Sequence, residues 1–211
     1  MMNMRKRFIQ LFLGIFVVTL VWVLASCTRT PAIAPLKSNA VILAFGDSLT
    51  AGTGADVASS YPAVLSQLTG INIVVQGVPG ETSGDGLQRL AGVLDETNPQ
   101  LIILCHGGND FLRKLPEAET SANVRSMVKM ALDKNIGVVL IATPKPGFIV
   151  KPPDFYATIA KELSIPVELT ALREILTDNS LKSDLIHPNA AGYKLLAERI
   201  NGLLKKSGAI S

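Results

Sequence analysis

Short continuous apolar runs alternating with stretches of helical spacing constrain this chain more than any other feature. Four runs are plain: Val41-Ile42-Leu43-Ala44-Phe45, Ile71-Asn72-Ile73-Val74-Val75, Leu101-Ile102-Ile103-Leu104 and Val138-Val139-Leu140-Ile141. A weaker fifth is Pro166-Val167-Glu168-Leu169. Strands that are apolar throughout belong to sheets buried on both faces, hence to parallel sheets covered by helices. Between the runs, Leu87, Leu90, Ala91 and Leu94 fall at i, i+3, i+4, i+7, as do Val124, Met127, Val128 and Ala131. Tyr156–Leu163 and Tyr193–Leu204 give two further helical patterns. The alternation predicts an α/β chain: a three-layer α/β/α sandwich around a mostly parallel five-stranded sheet. Sites in such sheets gather at the carboxyl ends of the strands.

The first residues stand outside this pattern. Arg5, Lys6 and Arg7 precede an uncharged apolar run, Phe8 to Ala25, which ends in Leu24-Ala25-Ser26-Cys27. Small residues before a cysteine, directly after an apolar run, resemble the lipobox of bacterial lipoproteins. That resemblance implies a signal peptide over 1–26, with Cys27 as the lipidated first mature residue. The other reading is an uncleaved single-pass helix that holds a cysteine. Both put the domain at a membrane outside the cytoplasm, and two or three acyl chains would anchor it stably. Residues 27–39, with Pro31 and Pro35, read as a tether, and the catalytic domain as 40–211. Thr28, rather than Asp, follows Cys27. In a Gram-negative envelope that favours the periplasmic side of the outer membrane over the inner one.

Charge changes meaning without the leader. The whole chain has 20 Lys and Arg against 17 Asp and Glu. The three basic residues of the leader account for the difference, so the rest is formally neutral and carries no argument for nucleic acid. Of the two cysteines, lipidation of Cys27 leaves Cys105 without a partner, so the domain is expected to rest on its core. No metal-ligand spacing, phosphate loop or dinucleotide fingerprint occurs, and neither cofactor nor metal is expected.

Polar clusters follow the apolar runs where a parallel sheet gathers its chemistry. Gly46-Asp47-Ser48-Leu49-Thr50-Ala51-Gly52 follows the first, Gly77-Val78-Pro79-Gly80-Glu81-Thr82 the second and Gly107-Gly108-Asn109-Asp110 the third. Asp184-Leu185-Ile186-His187-Pro188 stands near the C-terminus. A serine needs a base to be nucleophilic at neutral pH. Only two histidines exist, and His187 has a carboxylate, Asp184, three residues before it. Backbone N–H groups at glycine and an Asn side-chain amide are suitable donors for an oxyanion.

These blocks, in order and spacing, resemble the GDSL or SGNH hydrolase superfamily, named for its Ser, Gly, Asn and His. The match runs from about Ala40 to the last helix. Within the superfamily the chain most resembles the bacterial multifunctional thioesterase/lysophospholipase/arylesterase group. The resemblance implies a flavodoxin-like sandwich and a monomer. It implies Ser48 as nucleophile, His187 as general base and then acid, and Asp184 as its orienting partner. Ser48 and Gly80 N–H with the Asn109 side chain would form the oxyanion hole, and Asp47 would hold the first loop.

Two departures stand out. The group commonly has an acidic residue and Leu before Gly-Gly-Asn-Asp, where this chain has Cys105 and His106. One reading is a reactive Cys–His pair; the other, which is expected because neighbours on a strand face opposite ways, has Cys105 packing and His106 lying beside the site without catalysing. Val78-Pro79 replaces more polar residues. Phe111-Leu112 after the asparagine, Phe148-Ile149 in the proline-rich stretch 143–153, and Ile186 are candidate walls of an acyl groove. The stretch 143–153 reads equally as a loop folded onto the core. The expected substrates are small molecules: medium or long acyl esters, thioesters or lysophospholipids with an apolar chain. The alternatives are O-deacetylation of envelope carbohydrate, or a non-catalytic envelope lipoprotein that keeps the fold.

Overall fold

A computed structural model of the chain describes residues 30–211. The expected leader and the lipidation at Cys27 lie outside the described residues. Among the described residues no helix is long and apolar enough to cross a membrane.

The five apolar runs become five strands: β1 Val41–Gly46, β2 Asn72–Gly77, β3 Leu101–Cys105, β4 Gly137–Ile141 and β5 Val167–Glu168. All pairs are parallel, in the order β2-β1-β3-β4-β5. The order in which strands are added reverses between β1 and β3, which is where such sheets bind ligands. The helices are α1 Ser48–Ala51, α2 Tyr61–Thr69, α3 Ser83–Thr97, α4 Gly108–Leu112, α5 Glu117–Asp133, α6 Phe155–Glu162, α7 Ala171–Thr177 and α8 Ala190–Lys206.

Strand alternation divides the core in two. Ile42, Ala44, Ile103, Val139 and Ile141 pack beneath α2, α7 and α8, against Leu65, Leu172, Leu196 and Ile200. Leu43, Phe45, Ile102, Leu104 and Leu140 face α3, α5 and α6, against Leu90, Val124, Met127 and Ile159. The sheet is therefore the middle layer of three.

Caps fix the long helices. The Thr82 hydroxyl accepts from Asp85 N–H and the Asp85 carboxylate accepts from Thr82 N–H, a reciprocal capping box at α3. Asn189 Oδ1 accepts from Ala191 and Gly192 N–H at the start of α8.

The boundary at Ala40 moves. Pro31–Ser211 form one unit. Ile33 N–H donates to Ser207 O and Leu36 N–H to Ala209 O, each at 2.9 Å, and Ile33 is buried. From Pro31 onward the expected tether is thus part of the domain. The reason is physical: Ile33 and Leu36 are apolar and gain by covering the last helix, whatever the prolines suggest about stiffness.

Candidate active site

The site is assembled from strand ends that approach too closely for side chains. A Cβ on Gly46 would stand 2.3 Å from Cys105 O, and one on Gly77 would stand 2.3 Å from Ala51 N. These contacts let β1 turn directly into α1. Asp47 caps that helix, its Oδ1 accepting from Leu49 N–H at 3.0 Å. Ser48 is the first residue of α1, so its N–H points out of the helix end, and among the described residues it has no acceptor.

The second polar block folds over this corner. Val78 N–H donates to Gly46 O at 3.0 Å. Gly80 follows with φ +80°, a left-handed conformation that glycine adopts without strain. Its carbonyl accepts from Arg113 Nη2 at 2.7 Å. Its N–H has no acceptor among the described residues. On α4, Asn109 Nδ2 donates to Glu81 O at 2.9 Å and makes a longer contact, 3.4 Å, to Asp47 Oδ2.

The last block comes from the loop between α7 and α8. Ser183 N–H donates to His187 O, and Asn189 N–H to Leu181 O, each at 3.0 Å, closing the loop. Asp184 Oδ1 accepts from Ile186 and His187 N–H, both at 2.8 Å, leaving Oδ2 for the imidazole Nδ1 at 2.7 Å. That carboxylate fixes the ring proton on Nδ1. Nε2 then faces Ser48 Oγ at 3.0 Å. Desolvation pushes the Asp184 carboxyl up, but hydrogen bonds from Ile186 N–H, the His187 ring and His187 N–H outweigh it and hold the group below the usual carboxylate range. Asp47 goes the other way: burial raises it, against the lowering influence of His106, Leu49 N–H and His187.

Ser48, Asp184 and His187 therefore form one hydrogen-bonded chain across residues far apart in sequence. A hydroxyl bonded to an imidazole that is held by a carboxylate is the arrangement that makes serine nucleophilic. Ser48, Asn109 and His187 line a cavity of about 420 Å³. Gly80 is exposed on the neighbouring loop and does not line it.

The cavity wall differs from the expected one. Leu112 and Ile186 line it, with Leu49, Val150, Leu176 and Leu185. Phe111 does not. Asn109 stands in the helix α4, and two residues on, about 200° around, a side chain turns away. Phe111 enters the core, 6.5 Å from the Phe155 ring. Phe148 and Ile149 do not line it either. Lys145 and Lys151 form an antiparallel bridge that closes a hairpin, and both side chains stand at its exposed tip. Leu176 escaped the sequence reading because α7 is too short to show a period.

Cys105 and His106 part as strand alternation requires. Cys105 is buried with Ile103 and Ile141, 3.8 Å from Thr143 Oγ1, and burial pushes its thiol far up. His106 is buried on the other side, 5.5 Å from the Phe45 ring. No group of three or more His, Cys, Asp or Glu suited to a metal ion occurs among the described residues.

Residues 44–195 match the model of the GDSL-like Lipase/Acylhydrolase family. The chain is 27% identical over 195 residues to esterase TesA of Pseudomonas aeruginosa, covering 86% of this chain and 96% of that protein. It is 27% identical over 165 residues to thioesterase 1/protease 1/lysophospholipase L1 of Escherichia coli strain K12, covering 74% and 79%. The crystal structure of TesA superposes with a TM-score of 0.70 at 26% identity, covering 78% of this chain and 98% of that one.

Proposed function

The chain belongs to the GDSL-like lipase/acylhydrolase family, and on that footing we propose that it is a serine ester hydrolase cleaving carboxylic esters or thioesters of apolar acyl chains through an acyl-enzyme on Ser48. The observation that carries the reading is the chain Ser48 Oγ, His187 Nε2 and Nδ1, Asp184 Oδ2 opening onto an apolar-walled cavity. Relatives named for esterase, arylesterase, thioesterase and lysophospholipase activity support the same bond type.

Ser48 Oγ attacks the acyl carbon while its proton passes to His187 Nε2. Asp184 keeps the imidazole oriented and stabilises its charge. Ser48 N–H and Gly80 N–H, neither with an acceptor among the described residues, receive the developing oxyanion together with Asn109 Nδ2, which exchanges its long 3.4 Å bond to Asp47 Oδ2 for the substrate. His187 then protonates the departing alcohol or thiol, and water, activated by the same imidazole, releases the acid. The acyl chain lies along Leu112, Val150, Leu176, Leu185 and Ile186. A lipid on Cys27 would hold the enzyme at the membrane, in the bacterial envelope on the periplasmic side of the outer membrane.

The test is hydrolysis of p-nitrophenyl esters of graded chain length, with Ser48→Ala as control. Turnover that rises with chain length, and vanishes in the variant while the melting curve persists, is the expected result. Activity confined to acetyl esters would point instead to an envelope O-deacetylase. Failure of Ser48 to react with a fluorophosphonate would leave a non-catalytic lipoprotein.

A further inference from the structure

One buried cluster takes no part in these steps. Glu81 pairs with Arg89 through Nε at 2.5 Å and Nη2 at 2.8 Å. Its Oε2 lies 3.2 Å from His106 Nε2, off the line of a well-formed hydrogen bond. Arg89 also donates to Gln76 O and Gly46 O, at the ends of β2 and β1, and covers the Phe45 ring at 4.0 Å. His106 is fully buried, and a Cβ on Gly86 would come within 2.5 Å of it, so α3 is shaped around the imidazole. Burying charged groups this way is a weak source of stability, since desolvation offsets the attraction. What the cluster does is hold Glu81, and the Glu81 backbone touches the site.

Glu81 O accepts from Asn109 Nδ2 at 2.9 Å, its N–H donates to Val78 O at 3.1 Å, and Arg113 grips the carbonyl of Gly80 in the same peptide. An Asn amide nitrogen has two hydrogens. The one given to Glu81 O at 2.9 Å sets the rotation of the amide and so the direction of the other, whose partner here is Asp47 Oδ2 at 3.4 Å, a long bond that an oxyanion displaces.

We propose that Glu81, clamped by Arg89 and His106, is a positioning residue for hydrolysis: its carbonyl orients Asn109, so that the second amide hydrogen meets the oxyanion. This rests on the hydrolase reading above. A peptide that drifts leaves substrate binding intact and weakens stabilisation of the transition state, so kcat falls while KM holds.

Glu81→Gln keeps the size of the side chain and removes its charge. The expected result is a loss of about tenfold in kcat with KM within about twofold, the scale of a small misplacement at a reacting centre. The decisive measurement is the double-mutant cycle with Asn109→Ala. If Glu81 acts through Asn109, Glu81→Gln costs less than about twofold in the Asn109→Ala background. An equal loss in both backgrounds, or no loss in either, overturns the inference. Should Glu81→Gln melt below the assay temperature, His106→Leu, which spares the pair with Arg89, is read in the same cycle with the same two outcomes. An inert wild type, or an active Ser48→Ala, refutes the hydrolase reading instead.

Discussion

Asp47 shows how one residue can serve geometry at a cost to stability. It is almost wholly buried, caps α1 and sits 3.4 Å from the Asn109 amide. Burial raises its carboxyl, so the folded chain holds that proton more tightly than the unfolded one. The sign follows from linkage. Below the ordinary Asp value of 3.8 both states are protonated and nothing is lost. As pH rises past it, the unfolded state ionises first and stability declines towards the folded pKa. Asp47→Asn keeps an acceptor for Leu49 N–H and removes the buried charge. It is expected to melt higher than wild type at pH 7 by roughly 2–4 °C, the shift that about 1 kcal/mol gives a domain of this size, with the gain gone at pH 3. Melting curves at the two pH values decide it; an equal shift at both would mean that ionisation is not the cause. Turnover should fall in the same variant if the carboxylate holds the first loop.

At the scale of elements, the helix that carries Asn109 and the helix that follows the Gly80 loop are locked together by a side chain. Asp110 on α4 is buried, and accepts from Ser83 N–H at 2.8 Å and Ser83 Oγ at 2.5 Å, at the first residue of α3. An acidic group at a helix N-terminus is favourable, and here it also satisfies two buried donors. Asp110→Ala orphans both, so a loss of about 2–3 kcal/mol is expected, seen as a lower denaturant midpoint; a loss under about 0.5 kcal/mol would show that the α3–α4 contact is held by packing alone. None of this was readable in the chain beforehand. The strands and helices α3, α5, α6 and α8 were, because apolar continuity and a 3.6 period are local signals; α2, nine residues with Pro62 in its first turn, was not read. The short helices α1, α4 and α7 have less than two full turns and show no period. With no helix assigned at α4, nothing in the sequence separated the direction of Phe111 from that of Leu112. The tether failed for a related reason: Ile33 and Leu36 gain by packing only once α8 exists.

For the whole molecule, polar chemistry was more legible than apolar shape. Ser48, Asn109, Asp184 and His187 could be named because each is tied to a turn at a strand or loop end. Glu81, Arg89 and His106 are neighbours only through the fold. The cavity wall was half legible: Leu112 and Ile186 were named, but Leu49, Val150, Leu176 and Leu185 converge only through tertiary packing. About 420 Å³ lies within the range of small-molecule sites, roughly 300–1,000 Å³. Each methylene that enters an apolar wall gains about 0.8 kcal/mol, close to fourfold in kcat/KM, until the cavity is full. The chain-length profile should therefore climb and then flatten. Leu176→Trp, which adds bulk to the wall, should bring the plateau to a shorter ester and leave kcat/KM for the acetyl ester within about twofold, since the reacting atoms lie elsewhere. Phe148→Ser at the hairpin tip should leave the whole profile within about twofold of wild type, because that side chain faces solvent and not the cavity. A profile that Leu176→Trp leaves unmoved and Phe148→Ser truncates would relocate the acyl chain to the outer face of the hairpin, where the sequence had first suggested a wall.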